Sequence, residues 1–598
     1  MLYKCFFVLF NCKIIQSFLH HYSIKNYIPD NGDYIILEET EDGFCELERL
    51  VIKKDDETKE IDSTGFMNFD FICIADYLSK VINTAKNMCS GNFQKLKQIH
   101  SNNYLCFFIK KDIIASRKLN NKIIHNYYEV LRNPTNKYSK SKEKLKMYED
   151  AEKEFGKVNE ERLNKIEEWI INNIYNLVPK DSKEKTYLKI FFKYDLSEYE
   201  KESKKYLIPN IYNSTDFNIS INDTLYGLSN NNMGLNSKKS YLENKTRKNT
   251  VPFLLSLKEV FLQKKLFDFL MNMATTGRVN VYLNEKEIIA LSNKESLKNN
   301  FQGVYIRIKK EKELEILDFD IIEDYKFRLR KPIKIQNVLK INYKNLNINP
   351  KDMYKQINLV QSLKSLVNEI LFSKFLDSNY FTEAKDLSIN NSNLKMNLLL
   401  SRNILFNWFF KGNQQGVWEV LNKTSLSLIK GSINNGYMIR ASEQFNLRCA
   451  LKEYFKGDEK SMADVLKEVK DSLRKKINIK FDEATSSIEN DDEYYFAVGQ
   501  LAGYFISLNK SKNKPHSLAN PVINARNDKR IKDEFIKLYK KYNYAIPYTK
   551  GRFENLMAIV KSYEPIGNVQ DDLIIAGYLH SNLIFEKTED SKNENGGN

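Results

Sequence analysis

The sequence is poor in the residues that most often build hydrolytic and metal-dependent sites. Its 598 residues hold six histidines, at 20, 21, 100, 125, 516 and 580, and no HExxH pairing. A metal site built on imidazole is therefore not expected. Seven cysteines fall at 5, 12, 45, 73, 89, 106 and 449, six of them in the first fifth of the chain. An odd count without any CxxC argues against a disulfide framework and a zinc ribbon, and it suits a reducing cytoplasm. Long apolar runs are missing as well. The stretch Cys5 to Phe10 is bounded by Lys4 and Asn11, far short of the roughly 20 apolar residues of a membrane span. No small-residue cleavage pattern follows it. The expectation is a buried amino-terminal helix or strand, in a soluble, cytoplasmic protein that engages no membrane.

Catalytic motifs are scarce too. There is no GxSxG. Residues 431–437, GSINNGY, have the glycine spacing of a phosphate loop, but Tyr437 and Met438 stand where Lys and Ser/Thr are needed. Asp318 and Asp320 are spaced to share one strand face, which suits a divalent cation if a third carboxylate joins them. The same LDFDII alternation also describes an ordinary half-exposed strand. Asp491, Asp492 and Glu493 precede an apolar helix and are read as capping and dipole-stabilising residues. His516, in the loop KNKPHSLANP, is read as structural, with a general base as the alternative. The chain is thus expected not to be an enzyme and to carry no cofactor or metal. A metal-dependent nuclease built around Asp318 and Asp320 is the enzymatic alternative.

What is present in excess is positive charge. Lys and Arg number 93 against 77 Asp and Glu, so 93 − 77 = +16, with a pI near 9.0. Such a surplus points to a polyanionic partner, nucleic acid before an anionic membrane, unless drift toward Lys, Asn and Ile produced it. A hydrophobic content of 42% is enough to fill the cores of about two to four domains.

Periodicity gives an α+β expectation, a mixed amino-terminal part followed by a helical bundle. Strands are expected at 34–37, 104–109, 187–194, 279–283 and 304–309. Helices are expected at 71–84, 141–178 (with a break at Gly156) and 256–275. From about residue 354 helical periods dominate: 354–376, 394–410, 416–430, 441–456, 461–476, 492–509, 527–543, 549–563 and 571–587. The boundary is placed at 350–390, giving a domain 1–355, a bundle 356–587 and a disordered tail 588–598.

Two stretches have the composition of an anion interface. Gly227 to Asn236 is a Gly- and Asn-dense loop, and Lys238, Lys239, Lys245, Arg247 and Lys248 follow within eleven residues. Backbone amides and clustered cations hold phosphates, while Asn and Met side chains suit base edges. A solvated loop in an Asn- and Lys-rich chain is the alternative. The second stretch is the helix 527–543. Ile531, Phe535, Leu538 and Tyr542 follow the i, i+4, i+7, i+11 rule and share a buried face. Lys529, Arg530, Lys532, Lys537, Lys540 and Lys541 fall outside that stripe, with Arg526 just ahead and Lys550 and Arg552 opening the next helix. This is either a solvated face or a phosphate track.

Residues 227–248, GLSNNNMGLNSKKSYLENKTRK, resemble the large subunit of type I-B CRISPR interference complexes (Cascade), of the Csh-type family. Residues 99–112, IHSNNYLCFFIKKD, are similar to that family's amino-terminal segment. Its carboxy-terminal region is similar to YYFAVGQLAGYFISLNKSKNKPHSL, GRFENLMAIVKSYEP and AGYLHSNLIFEK, within 494–587. The resemblance runs in order over residues 99–587. It implies a non-catalytic subunit of an RNA-guided antiviral surveillance complex. Its partners would be CRISPR RNA, target double-stranded DNA, the backbone, RNA-processing and small subunits, and a separate helicase–nuclease. Recognition of the protospacer-adjacent motif would fall to Asn230, Asn231, Asn232, Met233, Gly234 and Asn236, with Lys238, Lys239, Lys245, Arg247 and Lys248 on the adjacent phosphates. The SNNY segment 101–104 is a weaker candidate for the RNA handle. The basic face, with Arg526, Lys529, Arg530, Lys537, Lys550 and Arg552, would line the path of displaced or target-strand DNA. A small-subunit-like part, about 438–587, is expected as a separate product of internal initiation at Met438 or Met462. A nucleic-acid-binding scaffold outside CRISPR biology is the remaining alternative.

Overall fold

The computed structural model describes residues 27, 29–56, 61–79, 98–133, 138, 141–180, 182–212, 217–229, 254–310, 314–341, 354–457, 460–479, 486–512, 514–547 and 551–586. The fold is α+β. The chain divides into two units. The first holds residues up to Ser292 together with Gly303–Ile321, and the second holds Asn293–Gln302 and everything from Ile322. The division thus falls inside a strand, earlier in the chain than the expected 350–390.

The amino-terminal unit is built on a four-stranded sheet in the order β2-β1-β4-β3. Strands β1 (Gly32–Thr40) and β2 (Gly43–Ile52) form an antiparallel hairpin. Strand β3 (Cys106–Lys110) runs antiparallel, and β1 parallel, to β4 (Tyr187–Phe192). Tyr34–Leu37, Cys106–Ile109 and Leu188–Phe192 are buried throughout, the mark of strands covered on both faces. The cover comes partly from helices Phe69–Ser79, Asn121–Arg132, Glu160–Asn173 and Leu196–Leu207, whose apolar residues join the same core. Their starts are coded locally: Asn120 and Asn159 each accept the backbone N–H three residues on. The expected long helix at 141–178 is two, Lys142–Phe155 and Glu160–Asn173, parted at Gly156 where φ is 87°.

A three-stranded sheet of β5 (Ile219–Ile221), β6 (Thr224–Gly227) and β7 (Leu255–Ser256) follows. Ser256 and Glu259 then make a capping box that starts helix Leu257–Thr275. That helix buries Leu266, Phe267, Leu270 and Met273 against Val281, Leu283, Ile306 and Ile308. These last belong to a sheet ordered β11-β10-β8-β9, made of β8 (Asn280–Leu283), β9 (Ile288–Leu291), β10 (Phe301–Lys310) and β11 (Leu314–Tyr325).

The carboxy-terminal unit opens on β12 (Arg328–Lys334) paired with β13 (Gln356–Leu359). The helix expected over 354–376 is therefore shorter. In Gln356–Leu359 only Ile357 is buried and pairs with Ile333, so sheet pairing overrides a helical period there. Helix Val360–Leu366 then runs into a π turn, Val367–Leu371. The bundle follows with helices Ser392–Lys411, Val417–Asn434, Met438–Lys456, Met462–Ile477, Asp491–Ser507, Asp528–Tyr542, Gly551–Ser562 and Asp571–Leu579. The last expected helix, 571–587, stops at Leu579 because His580 turns extended, and a 3-10 turn at Leu583–Phe585 completes it.

At the bundle's centre lies helix Asp491–Ser507, buried on nearly every side, as a helix apolar all round must be. It crosses helix Asp571–Leu579 at glycine contacts. A Cβ on Gly499 would come within 2.1 Å of the Ile574 carbonyl oxygen, and one on Gly577 within 2.1 Å of the Phe496 carbonyl oxygen. Only glycine permits that approach. The core of this bundle also takes in Ile429 and Ile433, so it extends to the amino side of Met438. Among the described residues, no helix is long and apolar enough to cross a membrane.

Candidate nucleic-acid interface

The polar residues of the 99–112 stretch turn inward. Ser101, Asn102, Asn103 and Tyr104 are all buried. The Ser101 hydroxyl lies 2.8 Å from the Tyr127 hydroxyl and accepts from the Phe108 amide. Asn103 donates to the Tyr199 carbonyl and accepts from the Leu105 amide. These bonds hold a tight turn into β3, in which the buried Asn102 Oδ1 has no partner among the described residues. The expectation that 101–104 meets RNA is therefore corrected: the segment's surface is spent on packing.

Beside it lies a buried ion pair. The Lys189 ammonium sits 2.8 Å from both Asp76 carboxylate oxygens and 3.2 Å from Asp30, under the rings of Tyr34, Phe108 and Tyr187. Burial acts to lower the lysine's pKa, but Asp76 and Asp30 outweigh it and the net direction is up. The Tyr27 hydroxyl donates to the same Asp76. Lys189 pairs in register with Tyr34 and Phe108 on the two flanking strands. One cation thus ties three strands to helix Phe69–Ser79.

The Gly/Asn loop is described only at its base. Asn230, Asn231, Asn232, Met233, Gly234, Asn236, Lys238, Lys239, Lys245, Arg247 and Lys248 lie outside the described residues, as do the first 26 residues, Lys550 and the tail 588–598. The flanking residues are fixed. Gly227 pairs with Leu255 and Tyr226 with Ser256, so the chain leaves and re-enters between two bonded strands. A Cβ on Gly227 would stand 2.5 Å from the Tyr212 ring, and the Tyr212 hydroxyl donates to the Leu225 and Leu255 carbonyls. That glycine serves the close approach of Tyr212.

Helix Asp528–Tyr542 is described in full. Asn527 caps it by accepting from the Arg530 amide, and Ile531, Phe535, Leu538 and Tyr542 are buried in the bundle core. Its sequence DKRIKDEFIKLYKKY carries six cations and three acids. Arg526, Lys529, Arg530, Lys537, Lys540 and Lys541 are exposed. The side chains of Arg526, Lys529, Arg530 and Lys540 make no ion pair or hydrogen bond among the described residues, whereas Lys537 pairs with Glu534 at 2.8 Å. An i, i+3 pair whose lysine lies in solvent is weak and exchangeable. Two members face inward. Lys532 bridges Asp528 and the Tyr563 carbonyl. Arg552 is half-buried and donates to the Glu586 carbonyl, which ties down the chain's end and removes it from the free set.

Period-3.6 reasoning located those cations because the buried stripe located itself. It passed over Ile536, Tyr539 and Tyr544, which are 41%, 45% and 67% exposed among them. The available signal was that Ile536 and Tyr539, though apolar, fall off the buried stripe.

The remaining candidates lie elsewhere in the fold. Asn490, not Asp491 or Asp492, caps helix Asp491–Ser507. Asp491 instead accepts from the Tyr563 hydroxyl and the Ile566 and Gly567 amides, which hold its pKa below the usual value against burial. Glu493 is buried against Lys476, 2.8 Å away. His516 meets the Tyr578 hydroxyl at 2.7 Å, and burial lowers its pKa. Asp318 and Asp320 lie on β11, and no group of three His, Cys, Asp or Glu fit to hold a metal occurs among the described residues. A cavity of about 610 Å³ lined by Lys334, Arg448, Lys452, Lys460 and Asp572 exists in the second unit. Its buried Arg448 is saturated by Asp572, Asn422 and Ser425. In comparisons with known proteins, no family model, curated protein or solved structure matches the chain.

Proposed function

We propose that the chain is a non-catalytic, nucleic-acid-binding subunit, and that it acts as the large subunit of a type I-B CRISPR surveillance complex. The observation that carries the binding half is the cation set Arg526, Lys529, Arg530 and Lys540, which has no ion-pair or hydrogen-bond partner among the described residues, around a helix whose opposite face is buried. Exposed cations not engaged by described residues are suited to neutralising phosphates. The net charge of +16 agrees in sign. The CRISPR half rests on the resemblance of residues 99–112, 227–248 and 494–587.

In this reading the protein recognises the adjacent motif on duplex DNA, aids strand separation beside the CRISPR RNA, and helps recruit the helicase–nuclease in a cytoplasmic complex. Asn230, Asn231, Asn232, Met233, Gly234 and Asn236, which lie in the sequence between β6 and β7, read the motif, with Lys238, Lys239, Lys245, Arg247 and Lys248 on the adjacent phosphates. The test is DNA binding by the reconstituted complex on targets with and without a permissive motif. Asn231→Ala/Asn232→Ala is expected to lose discrimination, and Lys238→Ala/Lys239→Ala to weaken every duplex. Wild-type behaviour of both variants counts against this assignment.

The separate small-subunit product remains part of the proposal. Met438 and Met462 each open a helix. Immunoblotting with an antibody to the carboxy terminus is expected to show a second, shorter band. Full-length protein alone would rule out internal initiation under those conditions.

A further inference from the structure

The basic face carries more than charge. Tyr539 is 45% exposed, and its ring lies parallel to Phe553, 6° between planes and 6.4 Å between centroids. Phe553 in turn stacks on Tyr504 at 4.7 Å, and Tyr504 meets Phe585 at 5.7 Å. Tyr539 is therefore one exposed end of an aromatic ladder whose other end, Phe585, is 50% exposed, and its stacking on Phe553 orients its ring. Beyond the helix, Tyr544 is 67% exposed with the Lys510 ammonium 5.7 Å from its ring centroid. Ile536, 41% exposed, lies one turn before Lys540 on the same helix.

We propose that Tyr539 and Tyr544 are base-stacking residues, and that the ligand of this face is single-stranded nucleic acid rather than duplex. The inference rests on the reading of the helix as a phosphate-binding face. A duplex offers that face only backbone, since its bases are stacked on one another and show no free ring surface. Cations alone would serve for that. Exposed, oriented rings among cations instead match an unpaired base on a phosphodiester chain, with the cations tracking the phosphates. Stacking on a tyrosine is sequence-tolerant because every base has a π-face, so the face would follow a strand without reading it.

The test uses full-length protein and fluorescence anisotropy on a labelled DNA strand, its duplex, an RNA strand of the same sequence, and a DNA strand with abasic positions. Tyr539→Ala/Tyr544→Ala is expected to bind the intact single strands more weakly by about 25-fold or more, two lost stacks at about 5-fold or more each. The same variant should bind duplex as wild type does. Tyr539→Phe/Tyr544→Phe should keep the preference, and wild type should lose it on the abasic strand. The tighter of the DNA and RNA strands names the source. If the Ala variant leaves single-strand affinity intact, or weakens duplex and strand equally, while Lys529→Ala/Arg530→Ala weakens both, stacking is overturned and the phosphate face stands. If Lys529→Ala/Arg530→Ala also binds as wild type, the reading of the face itself falls. Unchanged thermal melting of each variant excludes unfolding as the cause.

Discussion

In the amino-terminal unit the cation with the largest structural consequence lies inside. Lys189 is 2% exposed and clasps Asp76 between strands and helix. In the carboxy-terminal unit the notable cations lie outside, on a helix that sends Ile531, Phe535, Leu538 and Tyr542 inward and keeps Lys529, Arg530 and Lys540 in solvent. The same residue class holds strands to a helix at Lys189 and is left in solvent on helix Asp528–Tyr542. The environment decides the role: a buried charge must be paired, whereas an exposed one costs little and remains available.

That contrast can be broken at its strongest point first. Asp76→Ala leaves Lys189 buried with only Asp30 beside it, and should destabilise the amino-terminal unit by about 3–5 kcal/mol in urea titration. The double variant Asp76→Leu/Lys189→Met should recover most of that loss, because it removes the charge with its partner. A double variant as unstable as the single would mean that the cation has a further role. Next comes the bundle, where packing and not charge should dominate. Gly577→Ala puts a methyl group 2.1 Å from the Phe496 carbonyl oxygen. A loss of about 1–3 kcal/mol or more is expected, seen as a lower melting temperature of the bundle.

A smaller effect concerns one of the second unit's buried cations. Lys364 donates to the Asn293 and Glu295 carbonyls, and burial pushes its pKa down from 10.5 to about 8. Between those two values the unfolded chain holds the proton and the folded one does not. Lys364 therefore makes stability rise as pH increases from about 8 toward 10.5. Comparing urea midpoints of wild type and Lys364→Met across that window checks the sign, since the variant should lack this contribution. Smallest of all, Lys529→Ala/Arg530→Ala should change stability by no more than about 0.5 kcal/mol, which would separate these cations from the structural ones.

How far the sequence foretold this depends on the kind of element. On helix Asp528–Tyr542 four apolar residues at helical spacing revealed both the buried and the free faces. On strands buried on both sides that logic fails. Lys189 reads as the polar member of an alternating strand, and its partner Asp76 lies 113 residues away. The expectation that 101–104 meets RNA fails for a similar reason: the tyrosines that engage Ser101 and Asn103, Tyr127 and Tyr199, sit on helices far along the chain. The helix expected over 354–376 failed because β13 answers to Arg328–Lys334, a pairing that no window around 354 contains.

The account rests on the exposed face of helix Asp528–Tyr542 being a nucleic-acid interface. The most direct test is the affinity of the full-length protein for a DNA single strand across a range of salt, wild type against Lys529→Ala/Arg530→Ala. The interface predicts weaker binding and a slope of log affinity on log salt reduced in magnitude by about 1.4, roughly 0.7 for each lost phosphate contact. Identical affinity and slope in the two proteins would contradict it, and would mark these cations as a solvated surface.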